Sequence, residues 1–465
     1  MGTHIINALK SLQSHRLAAL FQARVSTTET LFSDDFWDRS LVIGDALRDK
    51  AAVHRAVLAN GLQVWVICRY DEARSALADS RLSKSIDGLK AVIEKQLIRA
   101  GLDPSLSNMF SGHMLFQNDP EHARLRRLLA AGFTRGRVEG LRPRVEQLTA
   151  EVLAELPLDR PVDLIDRIAF QLPLTVICEL LGVPLHERDS LREWTEAMME
   201  DHPDRTIPAS KALEAFFTEL IAAKRQTPED DLLSALIQVA DREDRLDEAE
   251  LLATLFLIFV AGHETTTNAI GNAARWLLQD PRRWRQLAQR PELISNAVEE
   301  SMRFDSAVRN ATFRYTDEAV EVGGVRIPAG EVVLVSLQAA NRDPRRFADA
   351  DLFDLHRAEA RAHLSFGHGI HHCLGASLGR MELEIVLDAL TSTFPSARLA
   401  VGERRLRRKH SAIMNGYLNL PVHLAPRRWE RFVDDVRVVI LRAKETLARW
   451  AHTPRSHGTR DRGHC

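Results

Sequence analysis

Cysteine is scarce in this chain. There are four in 465 residues, Cys68, Cys178, Cys373 and Cys465, scattered along the sequence. That spacing excludes a disulfide framework and points to a reducing compartment. A surplus of charge of one sign is missing too. With 62 Lys and Arg against 64 Asp and Glu, the net charge of −2 gives no global attraction to nucleic acid or anionic lipid. Long apolar runs are absent: the most apolar stretch, Leu251 to Gly262, is too short to span a bilayer and ends in His263-Glu264. The N-terminal MGTHIINALKSLQSHRLAALF has neither a continuous apolar core nor a cleavage pattern, so no signal or transmembrane anchor is expected and the expected location is cytoplasmic. No repeat period, no obvious linker and no Gly-x-Gly-x-x-Gly nucleotide-binding run appear.

What is there describes a globular protein, 45% hydrophobic and 27% charged. Leu62 to Cys68 reads as a strand and Asp71 to about Ala78 as a helix. From Glu121 helical patterns dominate, over 121–131, 138–156, 160–181, 185–200, 209–226, 229–240, 247–279, 283–289 and 292–304. Val320 to Val335 alternates around Gly323-Gly324, as a hairpin followed by a strand. A helix over 374–394 and a last strand from Tyr417 to Leu424 complete a mainly α fold with a small β part.

Three glycines crowd Cys373 in the run Phe366-Gly367-His368-Gly369-Ile370-His371-His372-Cys373-Leu374-Gly375. The backbone there must turn tightly and approach something flat or bulky. A helical pattern follows, and a helix N-terminus favours thiolate, the form that ligates metal. A lone thiolate suits a haem iron, which needs only one protein ligand beyond its own four nitrogens. Covalent c-type haem is excluded, because no Cys-x-x-Cys-His run exists. Two other readings stand beside haem at this point: a zinc cluster of His363, His368, His371, His372 and Cys373, and a buried structural thiol.

Elsewhere the long helix 247–279 carries Ala261-Gly262-His263-Glu264-Thr265-Thr266 at its centre. Glycine and threonine are poor mid-helix residues, and a threonine hydroxyl there can bond the carbonyl one turn back. Glu264 beside Thr265 supplies the parts of a proton relay, with a solvated helix face as the plain alternative. Glu300 and Arg303 share a helix face, which taken alone is an ordinary ion pair. His122, Arg126, Arg314 and His371 are unremarkable singly. Together with a haem they are four donors for two propionates.

These features resemble the cytochrome P-450 superfamily, in its soluble bacterial class, over about residues 32 to 426. The cysteine loop (Phe366, Gly369, Cys373, Gly375), Ala261-Gly262-x-Glu264-Thr265, Glu300-x-x-Arg303, Asn341-Arg342-Asp343-Pro344 and Phe353-Asp354-x-x-Arg357 carry the resemblance, in that family's order. It implies haem b (iron protoporphyrin IX) between the helices 247–279 and 374–394, with Cys373 as axial ligand and dioxygen as co-substrate. It implies Glu264 and Thr265 as the acid–alcohol pair, His122, Arg126, Arg314 and His371 as propionate contacts, and a buried network of Glu300, Arg303 and Arg357. Three residues depart from the family pattern: Ala307 for a common proline, His372 for an apolar residue, and Gly379 for a common alanine.

The resemblance further implies a haem-thiolate monooxygenase that hydroxylates a small hydrophobic natural product or steroid-like molecule, with electrons from a ferredoxin and ferredoxin reductase. Arg124, Arg127, Arg135 and Arg137 are the expected basic docking face. Substrate contacts are expected from 85–116, 195–210 and the stretches around Val260, Val308 and Ile413. Arg309 is read as bonding structure or solvent, with a substrate carboxylate as the second reading. A peroxide-driven peroxygenase ranks low because Glu264-Thr265 is intact, and a haem sensor is the non-enzymatic alternative. Residues 1–31 are expected to be an N-terminal extension. Residues 427–465 are expected to be a C-terminal one, with an apolar helical stripe (Trp429, Phe432, Val433, Val436, Ile440, Ala443, Leu447, Trp450) and a disordered end.

Overall fold

The computed structural model describes residues 29–32, 34–58, 61–99, 112–199, 203–243 and 246–425. The first part alternates short strands and helices: β1 (Glu29–Thr30), α1 (Asp34–Lys50), β2 (Val53–Val57), β3 (Gln63–Ile67), α2 (Tyr70–Ala78), β4 (Leu82–Ser83) and α3 (Ile86–Arg99). Helices then follow: α4 (Glu121–Ala130), α5 (Arg135–Ala154), α6 (Gln171–Leu181), α7 (Arg188–Met199), α8 (Pro203–Gln226), α9 (Leu232–Glu243), α10 (Glu248–Gln279), α11 (Pro281–Gln289) and α12 (Ile294–Phe304). One short strand, β5 (Val162–Asp163), interrupts them. The last part holds β6 (Arg314–Thr316), β7 (Val320–Val322), β8 (Val325–Ile327), β9 (Val332–Val335), α13 (Leu337–Ala340), α14 (Ala376–Thr393), β10 (Arg398–Leu399) and β11 (Pro421–His423). The fold is mainly α with a small β part, as expected.

The long helix α10 owes its start to a capping box, in which Asp247 and Glu250 each bond the other's backbone N–H. Asp280 stops it and caps α11, with Pro281 in the first turn. Its two mid-helix glycines have a packing reason. A Cβ at Gly271 would lie 2.3 Å from Ile165 Cδ1, and one at Gly262 would lie 2.9 Å from Ile177 Cδ1. The helix therefore gives up some propensity so that α6 and the turn before it can press against it. Among the described helices α10 alone is long and apolar enough to cross a membrane, and half of that apolar window is buried within the protein, as in a core helix.

Six strands form one sheet in the order β1-β2-β3-β9-β6-β4, with β3 and β9 parallel and β2–β3, β9–β6 and β6–β4 antiparallel. The β7–β8 hairpin turns through Gly323 (φ 56°) and Gly324 (φ 76°), the two left-handed positions that such a turn requires.

Several expectations shift. Residues 160–181 are not one helix: Val162 and Asp163 pair with Val422 and Pro421, and Ile165–Phe170 form a π-helical turn before α6. The cause is tertiary, since Asp163 Oδ1 accepts from both Ile165 N (3.1 Å) and Leu420 N (2.8 Å). Glu29–Thr30 pair with β2 and Leu31 is buried, so these residues of the segment expected as an extension belong to the fold. The last helix starts at Ala376 rather than 374, and the last strand spans only Pro421–His423. The apolar stripe of 427–465 lies outside the described residues.

Candidate active site

The cysteine loop is held by its glycines and by one backbone bond. Gly367 (φ 73°) and Gly369 (φ 75°) occupy the left-handed region. A Cβ at Gly369 would sit 3.1 Å from both Ala78 Cα and Leu77 O, so the loop lies directly on the end of α2. Cys373 N–H donates to Phe366 O at 2.8 Å. The Cys373 residue is solvent-exposed, yet protein surrounds its sulfur closely. Burial raises its thiol pKa, against a backbone hydrogen bond from Gly375 and the charges of Arg126 and Arg380. The helix end expected to favour thiolate is thus outweighed, because α14 begins three residues later with Gly375 as its N-cap. Thiolate here calls for a ligated metal cation, which displaces the proton outright.

Around this loop the structure gathers donors. The His122 and His371 ring centroids stand 4.2 Å apart. Burial, then the charges of Lys84, His122, Arg314 and Arg126, push the His371 pKa down to about 2. Burial lowers that of Arg314 to about 10, and its Nη2 donates to Leu77 O across 3.4 Å. His122 Nδ1 is buried without a hydrogen bond, with half-exposed Asp119 3.5 Å away. Lys84 was not foreseen. It is buried, its pKa is held well below the usual value by burial and by Arg314, and its Nζ donates to Thr312 Oγ1 at 2.7 Å. A cleft of about 380 Å³, lined by His122, Arg126, Gly369 and Ile370, opens at this cluster. Cationic groups that depress one another need negative charge among them. Two carboxylates on one cofactor answer that need, so the donor set and the accessible Cys373 fit a haem. The zinc reading fails: His363 is bonded to Glu299 at 3.0 Å, and among the described residues no group of three or more such side chains could hold a metal.

On α10 the hydroxyls of Thr265, Thr266 and Thr267 donate to the carbonyls of Ala261 (2.7 Å), Gly262 (3.1 Å) and His263 (2.9 Å). Each is the back-bond anticipated from sequence. Ala261 is exposed and Thr265 half-buried, although most of the helix around them is buried. Glu264 is buried, and its Oε1 accepts from Lys409 Nζ at 2.6 Å and Asn268 Nδ2 at 3.1 Å. Lys409 was not foreseen, because Arg404-Arg405-Leu406-Arg407-Arg408-Lys409 reads as a solvated basic run. At Gly379 an added Cβ would stand 4.0 Å from Thr266 Oγ1, where α14 faces α10.

Behind the loop, Glu300 and Arg303 are fully buried and doubly bonded, at 2.7 and 2.8 Å. Arg357 Nε donates to Glu300 at 3.2 Å, and Arg303 also donates to the carbonyls of Asn341 (3.0 Å), Ala350 (2.9 Å) and Leu352 (3.1 Å). The neighbouring Glu299, missed in sequence, binds His363 and Arg380 (2.7 Å) and so links α12 to α14.

Other sequence candidates fall elsewhere. His372 is exposed on the loop. Arg124 is paired with Glu121 and Glu250, which leaves Arg127, Arg135 and Arg137 as the exposed arginines of that face. Arg309 is buried and bonded to Asn415 Oδ1 at 3.0 Å, so structure rather than substrate holds it. Val260 and Val308 are half-buried, and of the two expected substrate stretches 100–111 and 200–202 lie outside the described residues.

Fold and site together define a haem-thiolate enzyme. The family model "Cytochrome P450" matches residues 169–398. Cytochrome P450 107B1 of Saccharopolyspora erythraea is 47% identical over 80% of this chain and 91% of its own length. Vitamin D(3) 25-hydroxylase of Pseudonocardia autotrophica is 42% identical over 85% of this chain and 96% of its own. The tirandamycin C-bound P450 monooxygenase TamI superposes with a TM-score of 0.80 at 40% identity, covering 85% of this chain and all of that one. The chain belongs to the cytochrome P450 family and is a monooxygenase of it, using haem iron, dioxygen and electrons from an external redox partner.

Proposed function

We propose that this enzyme hydroxylates a macrolide-, polyketide- or steroid-like natural product in the cytoplasm, using haem b and electrons passed from a ferredoxin reductase through a ferredoxin. The observation that carries the substrate class is its similarity, at 38–42% identity, to relatives named 6-deoxyerythronolide B hydroxylase and Vitamin D(3) 25-hydroxylase. Residues 32–426, extended back to Glu29 by β1, are the catalytic domain in this reading, and 427–465 is a separate extension.

Cys373 would ligate the haem iron, while His122, Arg126, Arg314 and His371, joined by Lys84, would hold the propionates. Bound haem supplies the iron that activates dioxygen. The chain's own part is to deliver protons and exclude water. Thr265 Oγ1 is the hydroxyl of the relay. The Glu264 carboxylate, held at Oε1 by Lys409 and Asn268, passes protons inward from the side of Lys409, which is itself partly exposed. Exposed Arg127, Arg135 and Arg137 receive the ferredoxin.

A spectral screen tests the substrate class. Macrolide, polyketide and steroid candidates should displace water from the iron and convert to a product heavier by one oxygen. If all three classes left the spectrum unchanged while short fatty acids shifted it, the assignment would be wrong. A reduced, carbonyl-bound sample lacking the red-shifted Soret band would remove Cys373 as ligand. Thr265→Ala should consume electrons without matching product, and unchanged coupling would end the relay reading.

A further inference from the structure

Arg309 is 1% exposed, and only one of its three guanidinium nitrogens has an acceptor. Nη2 donates to Asn415 Oδ1, while Nε and Nη1 are buried with none. The Ser40 hydroxyl, also 1% exposed, is likewise buried without a partner. Both residues line one small cavity of about 20 Å³ between α1, β3 and the start of α13, together with Leu31, Phe36, Cys68 and Gln338. The Phe36 and Trp37 rings stand 5.3 Å from the guanidinium carbon and offer their faces, not an acceptor for its N–H groups.

Charge is as unbalanced as hydrogen bonding. No carboxylate belongs to the described residues lining this cavity. The nearby Asp305 is already bonded by Arg408 (2.8 and 3.2 Å), Asn415 (2.7 Å), Trp276 (2.8 Å) and Gln338 (3.1 Å). Asp38 in turn answers Arg407 at 2.8 Å. Among the described residues Asp305 is the carboxylate whose charge reaches Arg309, and Arg408 shares it, so one positive charge is left over there. Burial, followed by the charge of Arg408, lowers the Arg309 pKa to about 9, which still leaves it protonated at neutral pH. A water molecule would satisfy donors but not charge, and an isolated buried cation is strongly unfavourable. A cavity of about 20 Å³ has room for one occupant of water or halide size and none for a polyatomic ion such as sulfate.

We propose that the cavity beside Arg309 and Ser40 is a binding site for a single small monovalent anion, with chloride as the physiological occupant. The anion accepts from Arg309 Nε or Nη1 and from Ser40 Oγ, and it ties α1 to the strand side of the fold.

The test uses the haem-loaded, full-length enzyme. At constant ionic strength, replacing gluconate by chloride should raise Tm saturably, by roughly 3 °C at one hundred times Kd. Sulfate should do nothing. A crystal soaked in bromide should show an anomalous peak in the cavity. Ser40→Ala, which keeps the charge and enlarges the cavity little, should weaken chloride roughly tenfold. Arg309→Gln should abolish the chloride response. Equal Tm in chloride and gluconate, a cavity holding only water, or a Ser40→Ala enzyme with unaltered chloride dependence overturns the proposal. So does a bromide peak without any chloride effect on unfolding, since that marks occupancy at crystal concentration only.

Discussion

Glu382 lies on α14, the helix that follows the cysteine loop. It is 2% exposed, and its Oε2 is buried without a hydrogen-bond partner. Burial, the sole cause, pushes its pKa from 4.5 up to about 8. The folded chain therefore keeps a proton that the unfolded chain has released, everywhere between those two values. Stability falls as pH rises through that window and is level on either side of it. At about 1.4 kcal/mol per pH unit, the penalty is about 3 kcal/mol at pH 7 and about 5 kcal/mol above pH 8. Glu382→Gln preserves the shape and removes the ionisation. It still buries an amide, so the absolute change in stability mixes two effects, but the pH dependence belongs to the charge alone. No neighbouring charge contributes to the shift, so subtracting wild type from variant cancels the rest of the protein's titration. In thermal unfolding of the haem-loaded enzyme, the Tm difference should grow by roughly 4 °C between pH 5 and pH 8, at roughly 1 °C per kcal/mol for a domain this large. A difference that stays flat over that range refutes the reasoning.

Three further outcomes follow from the geometry. Lys409→Met leaves the Glu264 carboxylate with Asn268 as its remaining partner; product formed per electron should fall roughly tenfold with an unaltered Soret spectrum, and Lys409→Arg should restore it. Gly379→Ala places its methyl at ordinary contact distance, 4.0 Å from Thr266 Oγ1, inside a helix. Denaturant midpoints should show stabilisation of about 0.5–1 kcal/mol with turnover unchanged. Glu300→Ala strands two buried guanidinium groups, Arg303 and Arg357, and should cost about 3–5 kcal/mol, seen as loss of haem-loaded protein on mild heating.

The legible parts were those where a residue's chemistry acts locally. The Gly323-Gly324 turn marks the end of one strand and the start of the next because its left-handed backbone is a local property of glycine. The three threonine back-bonds on α10 could be read for the same reason. The π-helical turn after β5 could not, since its cause is a strand more than two hundred residues away. Lys84 and Lys409 were missed because no local pattern separates a lysine that long-range folding buries from one left in water. Arg124 illustrates the converse: its place in a basic run suggested a free charge, and Glu250 at the start of α10 takes that charge up.

By itself the sequence determined the class of protein. A lone cysteine in a glycine-rich turn, an acid beside a threonine in an apolar helix, and an ion pair one turn apart are short-range patterns whose chemistry needs particular residue types at particular spacings. Only the tertiary structure decided the electrostatics. Whether Glu264 stands free or leans on Lys409, and whether Arg309 meets a substrate or closes on Ser40 and an enclosed space, depends on which distant side chain burial brings alongside. A buried charge is governed by its few neighbours within several ångströms, and those neighbours come from chain segments that the sequence keeps far apart.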